Sequence, residues 1–527
     1  MRGADALVQS LKNHGTEVIF ALSGNQIMPI FDACIDAGIR LVHTRHEAAA
    51  VFMAEAYAQL SGKIGVALVT AGGGLANTGG ALFSASESET PVLLLSGDSP
   101  VSRDGLGAFQ EMDQVAITKA LTRLSLRPVT AADMMPDLAK ALHAAQGQRP
   151  GPVHLALPAD ILTAPVTDPG QPAPDNSLPY IGNELLHDAA TMIAGAQRPL
   201  LLFGPTLNAT RAPGLAQALS DALNAPVAAM ESPRGLGDPS FGNLRDVVAQ
   251  SDLIVAVGKR LDFTTGFGAG EQDWICVQPD PTERERARCN LGERLRICID
   301  AAPRAVADAL IADPTRQPDR QAWCDAAMGL LASLPEKAES DRGDRITSAR
   351  LCAAVQSALG TYRETIAICD GGEFGQWAQA YLRGNDRVIN GPSGAIGGAL
   401  PYALGARAAR PQATIVALMG DGTAGFHLPE FETAAREGLP FVAVIGNDRC
   451  WNAEHQIQLR DYGETRLVGC GLSDARYDLA AEALGAHAEY VTRSQDLMPA
   501  LDRAFTSGKP ACVNVEIEGL PAPAPPH

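Results

Sequence analysis

Short apolar runs recur along the chain, each followed by loop residues and a stretch whose apolar positions fall at helical spacing. In the first third, Glu17–Ala21, Arg40–His43, Ile64–Thr70 and Val92–Ser96 read as strands, and Ile27–Ala37 and Glu47–Leu60 as helices. Such alternation predicts a parallel sheet buried by helical crossovers. A polar, proline-rich stretch from Thr163 to Pro179 then breaks the periodicity and is the best linker candidate. A second set follows with strands at Pro199–Phe203, Leu253–Val257 and Ile275–Gln278. Between Asp313 and Arg345 the chain turns polar and helical, with three prolines. A third set opens at Ile346, with strands at Thr365–Cys369, Thr414–Met419, Phe441–Ile445 and Ala511–Ile517.

The expected fold is α/β, with three doubly wound parallel-sheet domains over 1–165, 183–325 and 346–519. Linkers at 166–182 and 326–345 join them, and the tail 520–527, Leu-Pro-Ala-Pro-Ala-Pro-Pro-His, is too proline-rich for regular structure and is expected to be disordered. Three domains suit a length of 527 residues. Whether the first and third are copies of each other is not visible in the sequence.

Composition narrows the partners. Lys and Arg number 42 against 60 Asp and Glu, a net charge of −18 that opposes binding to nucleic acid or an anionic membrane. The ten cysteines form no C-x-x-C pair, as expected of reduced, mostly buried thiols. Neither a signal peptide nor a long uninterrupted apolar span is present, so a cytoplasmic location is expected. No G-K-[ST] loop, H-E-x-x-H, G-x-S-x-G or opening G-x-G-x-x-G occurs.

The most informative stretch is Ile415–Met419 running into Gly420-Asp421-Gly422-Thr423. Ligands of open parallel sheets bind at the carboxyl ends of strands, so topology puts this acid in a crevice. Its flanking glycines let backbone approach a phosphate, and Mg²⁺ commonly takes one or two carboxylates plus phosphate oxygens. A second strand ends in Gly446-Asn447-Asp448, whose amide can add an oxygen.

Gly-Asp-Gly followed by Asn at the next strand end resembles the thiamin-diphosphate and magnesium signature. The resemblance implies Mg²⁺ held by Asp421, Asn447 and the carbonyl of Arg449, with Gly422 and Thr423 donating backbone N–H groups to the diphosphate. Asp370-Gly371-Gly372 matches the earlier diphosphate-side loop. Thr44-Arg45-His46-Glu47 resembles the start of the family's pyrimidine-side helix, where Glu47 would bond to the ring nitrogen opposite the amino group. That bond favours the tautomer able to deprotonate the thiazolium carbon. Gly394-Ala395-Ile396-Gly397 matches the loop whose apolar residue, here Ile396, wedges between the two rings while the Gly394 carbonyl accepts from the pyrimidine amine.

The segments Gly65–Gly74 and Ala108-Phe109-Gln110-Glu111 are similar to the acetolactate synthase group, including benzaldehyde lyase. This resemblance covers essentially the whole chain. It implies that Gln110 orients a carbonyl or hydroxyl of the bound intermediate and puts Gln26 on a loop approaching the reacting carbon. It also implies that one chain's pyrimidine domain faces another's diphosphate domain, making a homodimer the minimal active unit and a tetramer the usual assembly.

Two departures matter. Acetolactate synthases carry Trp where this chain has Gln456, and the surrounding Asn452, Glu454 and His455 are candidates for recognising a polar substrate group or moving protons, or else form a solvated helix face. The loop Gly258–Gly266 resembles the one that helps hold FAD but lacks its second Arg; Lys259 and Arg260 could meet phosphates or be a surface pair, so neither flavin nor nucleotide is assigned. The expected activity is carbon–carbon bond cleavage or formation on a 2-keto acid or 2-hydroxy ketone. A 2-hydroxyacyl-CoA or oxalyl-CoA type lyase is the rival enzyme, and a non-catalytic subunit retaining the fold is the rival of another class.

Overall fold

The computed structural model describes residues 1–166, 183–313, 315–333 and 346–523. Three sheets form, and every strand pair within them is parallel. The first contains β1 (Val18–Ala21), β2 (Arg40–His43), β3 (Gly65–Val69), β4 (Val92–Asp98), β5 (Leu124–Leu126) and β6 (Val153–Pro158), in the order β2-β1-β3-β4-β6-β5. The central sheet holds β7 (Pro199–Phe203), β8 (Val227–Ala229), β9 (Leu253–Val257), β10 (Asp273–Val277) and β11 (Leu295–Ile299), ordered β11-β10-β9-β7-β8. The third comprises β12 (Thr365–Cys369), β13 (Asp386–Ile389), β14 (Thr414–Gly420), β15 (Val442–Asn447), β16 (His487–Val491) and β17 (Ala511–Glu516), ordered β13-β12-β14-β15-β17-β16. Counted from their own first strands, the first and third sheets share one order, 2-1-3-4-6-5. The two halves are built on the same plan.

The strands with long apolar runs stand where the sequence puts them, because burial on both faces demands such runs. Sheet edges behave differently. Strands β5, β8, β11, β13 and β16 each have one neighbour, and β16 (His-Ala-Glu-Tyr-Val) is largely half-buried, so its residues need not be apolar. The interior strand β6 also lacks a clean run because it carries His154. That ring is buried, bonded to Ser96 at 2.8 Å and to Thr118 and Ser125 at 2.9 Å, and burial lowers its pKa to about 3, which keeps it neutral.

The first and third sheets share one compact unit, and the central sheet lies in another. Within the shared unit, α1 (Glu47–Ser61) packs on α2 (Ala399–Ala409) in a common apolar core. The helices approach so closely that a Cβ on Gly405 would stand 2.2 Å from the Met53 carbonyl oxygen. Only glycine fits there. Inside the seam the buried Glu55 accepts from Tyr402 Oη at 2.9 Å and Ser88 Oγ at 2.6 Å, while Ser84 and Tyr402 bond at 2.9 Å.

In the central unit, residues 326–332, expected in a linker, continue the helix Gln321–Ala332, whose Trp323 and Ala327 are buried in the core. The stretches 167–182 and 334–345 lie outside the described residues, as do residues 524–527 of the tail. Residues 520–523 carry no helix or strand, but the Leu520 carbonyl accepts from Asn452 Nδ2 at 3.1 Å. Among the described residues no helix is long and apolar enough to cross a membrane. Among the described residues, which include all ten cysteines, no disulfide forms; six cysteines are buried and Cys289 alone is exposed.

Candidate active site

Both halves carry their chemistry where strands end. In the third sheet β14 gives way to a short helix, α3 (Asp421–Ala424), and β15 ends at Asn447 on the neighbouring strand. Asp421 is buried, and its Oδ2 has no hydrogen-bond donor. Its carboxyl lies against that of Asp448. Burial raises Asp421 to about 6, and burial together with the Asp421 charge raises Asp448 to about 7. Two facing carboxyls, one with a bare buried oxygen, are a poor arrangement without a cation between or beside them.

Asn447 is aimed by its surroundings. Its Nδ2 donates to Asn514 Oδ1 at 3.2 Å and to the Ala475 carbonyl at 3.4 Å, while Oδ1 accepts the Arg449 N–H at 3.2 Å. Arg449 has φ of 60°. Its carbonyl accepts the Leu472 N–H at 2.7 Å and keeps a second lone pair. Thr423 Oγ1 donates to the Gly420 carbonyl at 3.0 Å. A Cβ on Gly422 would fall 2.7 Å from the Trp451 ring, so the indole reads the absence of a side chain there. Among the described residues no three His, Cys, Asp or Glu side chains gather to hold a metal ion. An acid, an amide and a backbone carbonyl are instead the hard oxygen donors that suit Mg²⁺.

Two loops of the third sheet are tied together by Asp370, which directly follows β12. Its buried carboxyl accepts the N–H of Gly371 at 2.7 Å, of Gly397 at 2.9 Å and of Ala399 at 3.2 Å. Burial raises this acid to about 6 against the pull of those donors. Ile396 packs over Gly371, and Asn390 Nδ2 holds the Ala395 carbonyl at 2.6 Å. Gly372, at φ of +75°, opens the helix Gly372–Tyr381, and Gly394 is exposed in its loop at φ of +68°.

The first sheet presents a different set. Glu47 opens α1, and Asn77 Nδ2 donates to its Oε2 at 3.0 Å. Gln26, Thr70 and Gln110 lie past the ends of β1, β3 and β4 and form one chain: Thr70 Oγ1 donates to Gln26 Oε1 at 2.6 Å, and Gln26 Nε2 donates to Gln110 Oε1 at 2.7 Å. Thr70 and Glu47 flank Gly74 together. Gln110 has φ of 60°, a left-handed conformation that costs a non-glycine residue energy and concentrates at functional sites.

Glu454 and His455 stand in the first turn of α5 (Asn452–Tyr462), with Glu454 exposed and His455 half-buried. Asn452 is buried instead, its amide taken up by Leu520 and by Gln456 at 2.9 Å. In the central unit Lys259 is buried at 2% exposure and Arg260 pairs with Asp262 at 3.6 Å, so the two are not a surface basic pair. Sequence reasoning passed over Asn77, Thr70, Asp448 and Trp451. Thr70, Asp448 and Trp451 lie within four residues of a strand end already singled out, which is the signal that would have found them; Asn77, eight residues past β3, carries no such signal.

Three stretches of the chain match domains of one family: residues 1–117 the thiamine pyrophosphate enzyme N-terminal TPP binding domain, 186–310 the central domain and 370–515 the C-terminal TPP binding domain. A probable acetolactate synthase of Mycobacterium bovis is 32% identical over 98% of this chain and 95% of its own length. The 2-hydroxyacyl-CoA lyase 2 of Danio rerio is 28% identical over 98% of this chain and 91% of its own, and that of Caenorhabditis elegans is 30% identical over 93% and 85%. With all three domains matched in order, the chain belongs to the thiamine pyrophosphate (thiamin diphosphate) enzyme family.

Proposed function

We propose that the protein uses thiamin diphosphate and Mg²⁺ to cleave or form a carbon–carbon bond next to a carbonyl, on a 2-keto acid or 2-hydroxy ketone. The observation that carries the metal half is the bare buried Oδ2 of Asp421, a carboxyl that lies against that of Asp448, together with an Asn447 amide held in place. Asp421, Asn447 and the Arg449 carbonyl would hold Mg²⁺, and Gly371, Gly372, Gly422 and Thr423 would line the diphosphate. Gly394 and Ile396 would meet the rings. The bound cofactor supplies a nucleophilic carbon and an electron sink.

The chain's own groups do the rest. Glu47, steadied by Asn77, would hold a proton at the pyrimidine ring. Gln110, supported through Gln26 by Thr70, would present its amide to the substrate oxygen. Glu454 and His455 are candidates for proton movement or recognition of a polar substrate group. The same site admits a 2-hydroxyacyl-CoA lyase activity, favoured by the relatives of that name and by Gln456 in place of the acetolactate synthase Trp. Self-association into at least a dimer is part of the proposal, with the pyrimidine domain of one chain serving the cofactor of another.

The test is cofactor binding by calorimetry with and without Mg²⁺, then turnover of pyruvate, other 2-keto acids, benzoin-type ketones and 2-hydroxyacyl-CoAs followed by mass spectrometry. Magnesium-dependent binding and product from one substrate class are expected. Failure to bind with Mg²⁺ present would overturn the proposal.

A further inference from the structure

The segment that delivers Glu47 is not secured by its own helix. His46 caps α1 by accepting the Ala48 N–H on Nδ1 at 3.1 Å, which leaves the N–H groups of Arg45 and His46 to find partners elsewhere. They find them in the other half of the same compact unit. Glu430, at the start of α4 (Glu430–Glu437), is buried at 1% exposure, and its Oε1 accepts the Arg45 N–H at 3.0 Å; the His46 N–H also turns towards the same carboxyl and favours its charged form. Thr433 Oγ1 donates to Glu430 Oε2 at 2.7 Å and fixes its orientation.

One turn earlier stands His427, also buried, whose carbonyl accepts the Glu430 N–H at 3.0 Å. Its Nδ1 donates to the Gly397 carbonyl at 2.9 Å, one residue beyond Ile396. The edge-on His46 ring lies with its centroid 5.5 Å away, and Phe52 of α1 at 5.7 Å. Its Nε2 is buried without a partner, an expense the fold sustains at this one junction between the Glu47 segment and the Ile396 loop.

We propose that Glu430 and His427 are positioning residues: Glu430 fixes the backbone that presents Glu47, and His427 ties that backbone to the loop bearing Ile396. The contacts are made within one chain, so they hold Glu47 whichever protomer carries the cofactor it serves. The inference rests on the proposed role of Glu47.

The test compares E430A with E430Q, because Gln keeps an oxygen that can accept the Arg45 N–H and Ala does not. In the cofactor-free protein, E430A should lose hydrogen-exchange protection over residues 44–47. With thiamin diphosphate and Mg²⁺, proton–deuterium exchange at the thiazolium carbon and kcat should fall about tenfold to a hundredfold, as a misplacement of about 1 Å costs. KM and cofactor affinity should stay within about threefold, and E430Q should recover most of the loss. Unchanged exchange in E430A, or E430Q losing as much as E430A, overturns the proposal. Should E430A fail to fold, H427F keeps a ring and removes the Nδ1 donor: a fall of about fivefold in thiazolium exchange supports the tie to the loop, and no fall overturns it. Normal exchange in E47Q would instead sink the reading of Glu47 itself.

Discussion

The first and third sheets share a strand order yet end their strands in opposite chemistry. The first closes on the amides and hydroxyl of Gln26, Thr70 and Gln110, with Glu47 held by Asn77 and with Asp98, the last residue of β4, paired to Arg127. The third closes on acids, the buried Asp370 and Asp421 and the half-buried Asp448, with Asn447 among them, and no cation among the described residues pairs with Asp421 or Asp448. One scaffold, used twice, thus offers an edge suited to an uncharged ring and a carbonyl and another suited to a cation with phosphates. Topology fixes where a ligand goes, and the residues at the strand ends fix which ligand it is.

The sharpest way to break this contrast is to damage one edge at a time. Asp421→Ala should weaken thiamin diphosphate binding in the presence of Mg²⁺ by about a hundredfold or more, since it removes the carboxylate proposed to hold the cation. Glu47→Gln should leave affinity within about tenfold while thiazolium exchange falls by at least about a hundredfold. Calorimetry and exchange read separately decide it; equal losses of affinity in both variants would erase the distinction between the edges.

A smaller effect is expected from Gln26→Ala, which strips Gln110 and Thr70 of their shared partner. It should lower kcat about tenfold with cofactor affinity unchanged, in steady-state and binding measurements side by side.

The edges should also part in their response to pH. Asp370 and Asp421 are raised to about 6 and Asp448 to about 7, all above the value of the unfolded chain. The folded cofactor-free protein therefore holds protons that the unfolded chain has released. The stability this provides is complete below about pH 4 and is lost as pH rises through 6 to 7. The melting temperature without cofactor should fall relative to that of Asp421→Asn across that window, since the opposite contribution of buried, neutral His154 is the same in both proteins and cancels in the comparison. Mg²⁺ binding should strengthen over the same range, because the carboxylates must give up their protons. The amides and hydroxyl of the first edge add nothing to this dependence.

The smallest effect probes the seam between the halves. Tyr402→Phe removes a hydrogen bond to the buried Glu55 and should cost about 1–3 kcal/mol in denaturant unfolding, with the cofactor affinity of the third edge intact.

Much of this protein was legible in its sequence because a strand covered on both faces must be apolar and because a few residue types at strand ends carry particular chemistry. Those two constraints mark β1, β3, β4, β7, β9, β10, β12, β14, β15 and β17, and they put Asp421 and Asn447 at a sheet crevice, whereas Glu47 is marked by its resemblance to the family's pyrimidine-side helix. They act on neighbours along the chain, where a sequence can display them. Every edge strand but β2 escapes them, being half-covered, and so does β6, whose buried His154 is satisfied by three hydroxyls distant in sequence.

What only the tertiary structure decided is which distant groups meet. The equal strand orders of the two halves, the Gly405 crossing, the facing of Asp421 and Asp448, the strained Gln110 bound to Gln26, and the hold of Glu430 on Arg45 all join residues far apart in the chain or in different elements. No local pattern encodes them, because a hydrogen bond or a close crossing depends on where packing brings two backbones, and that is settled by the whole core at once.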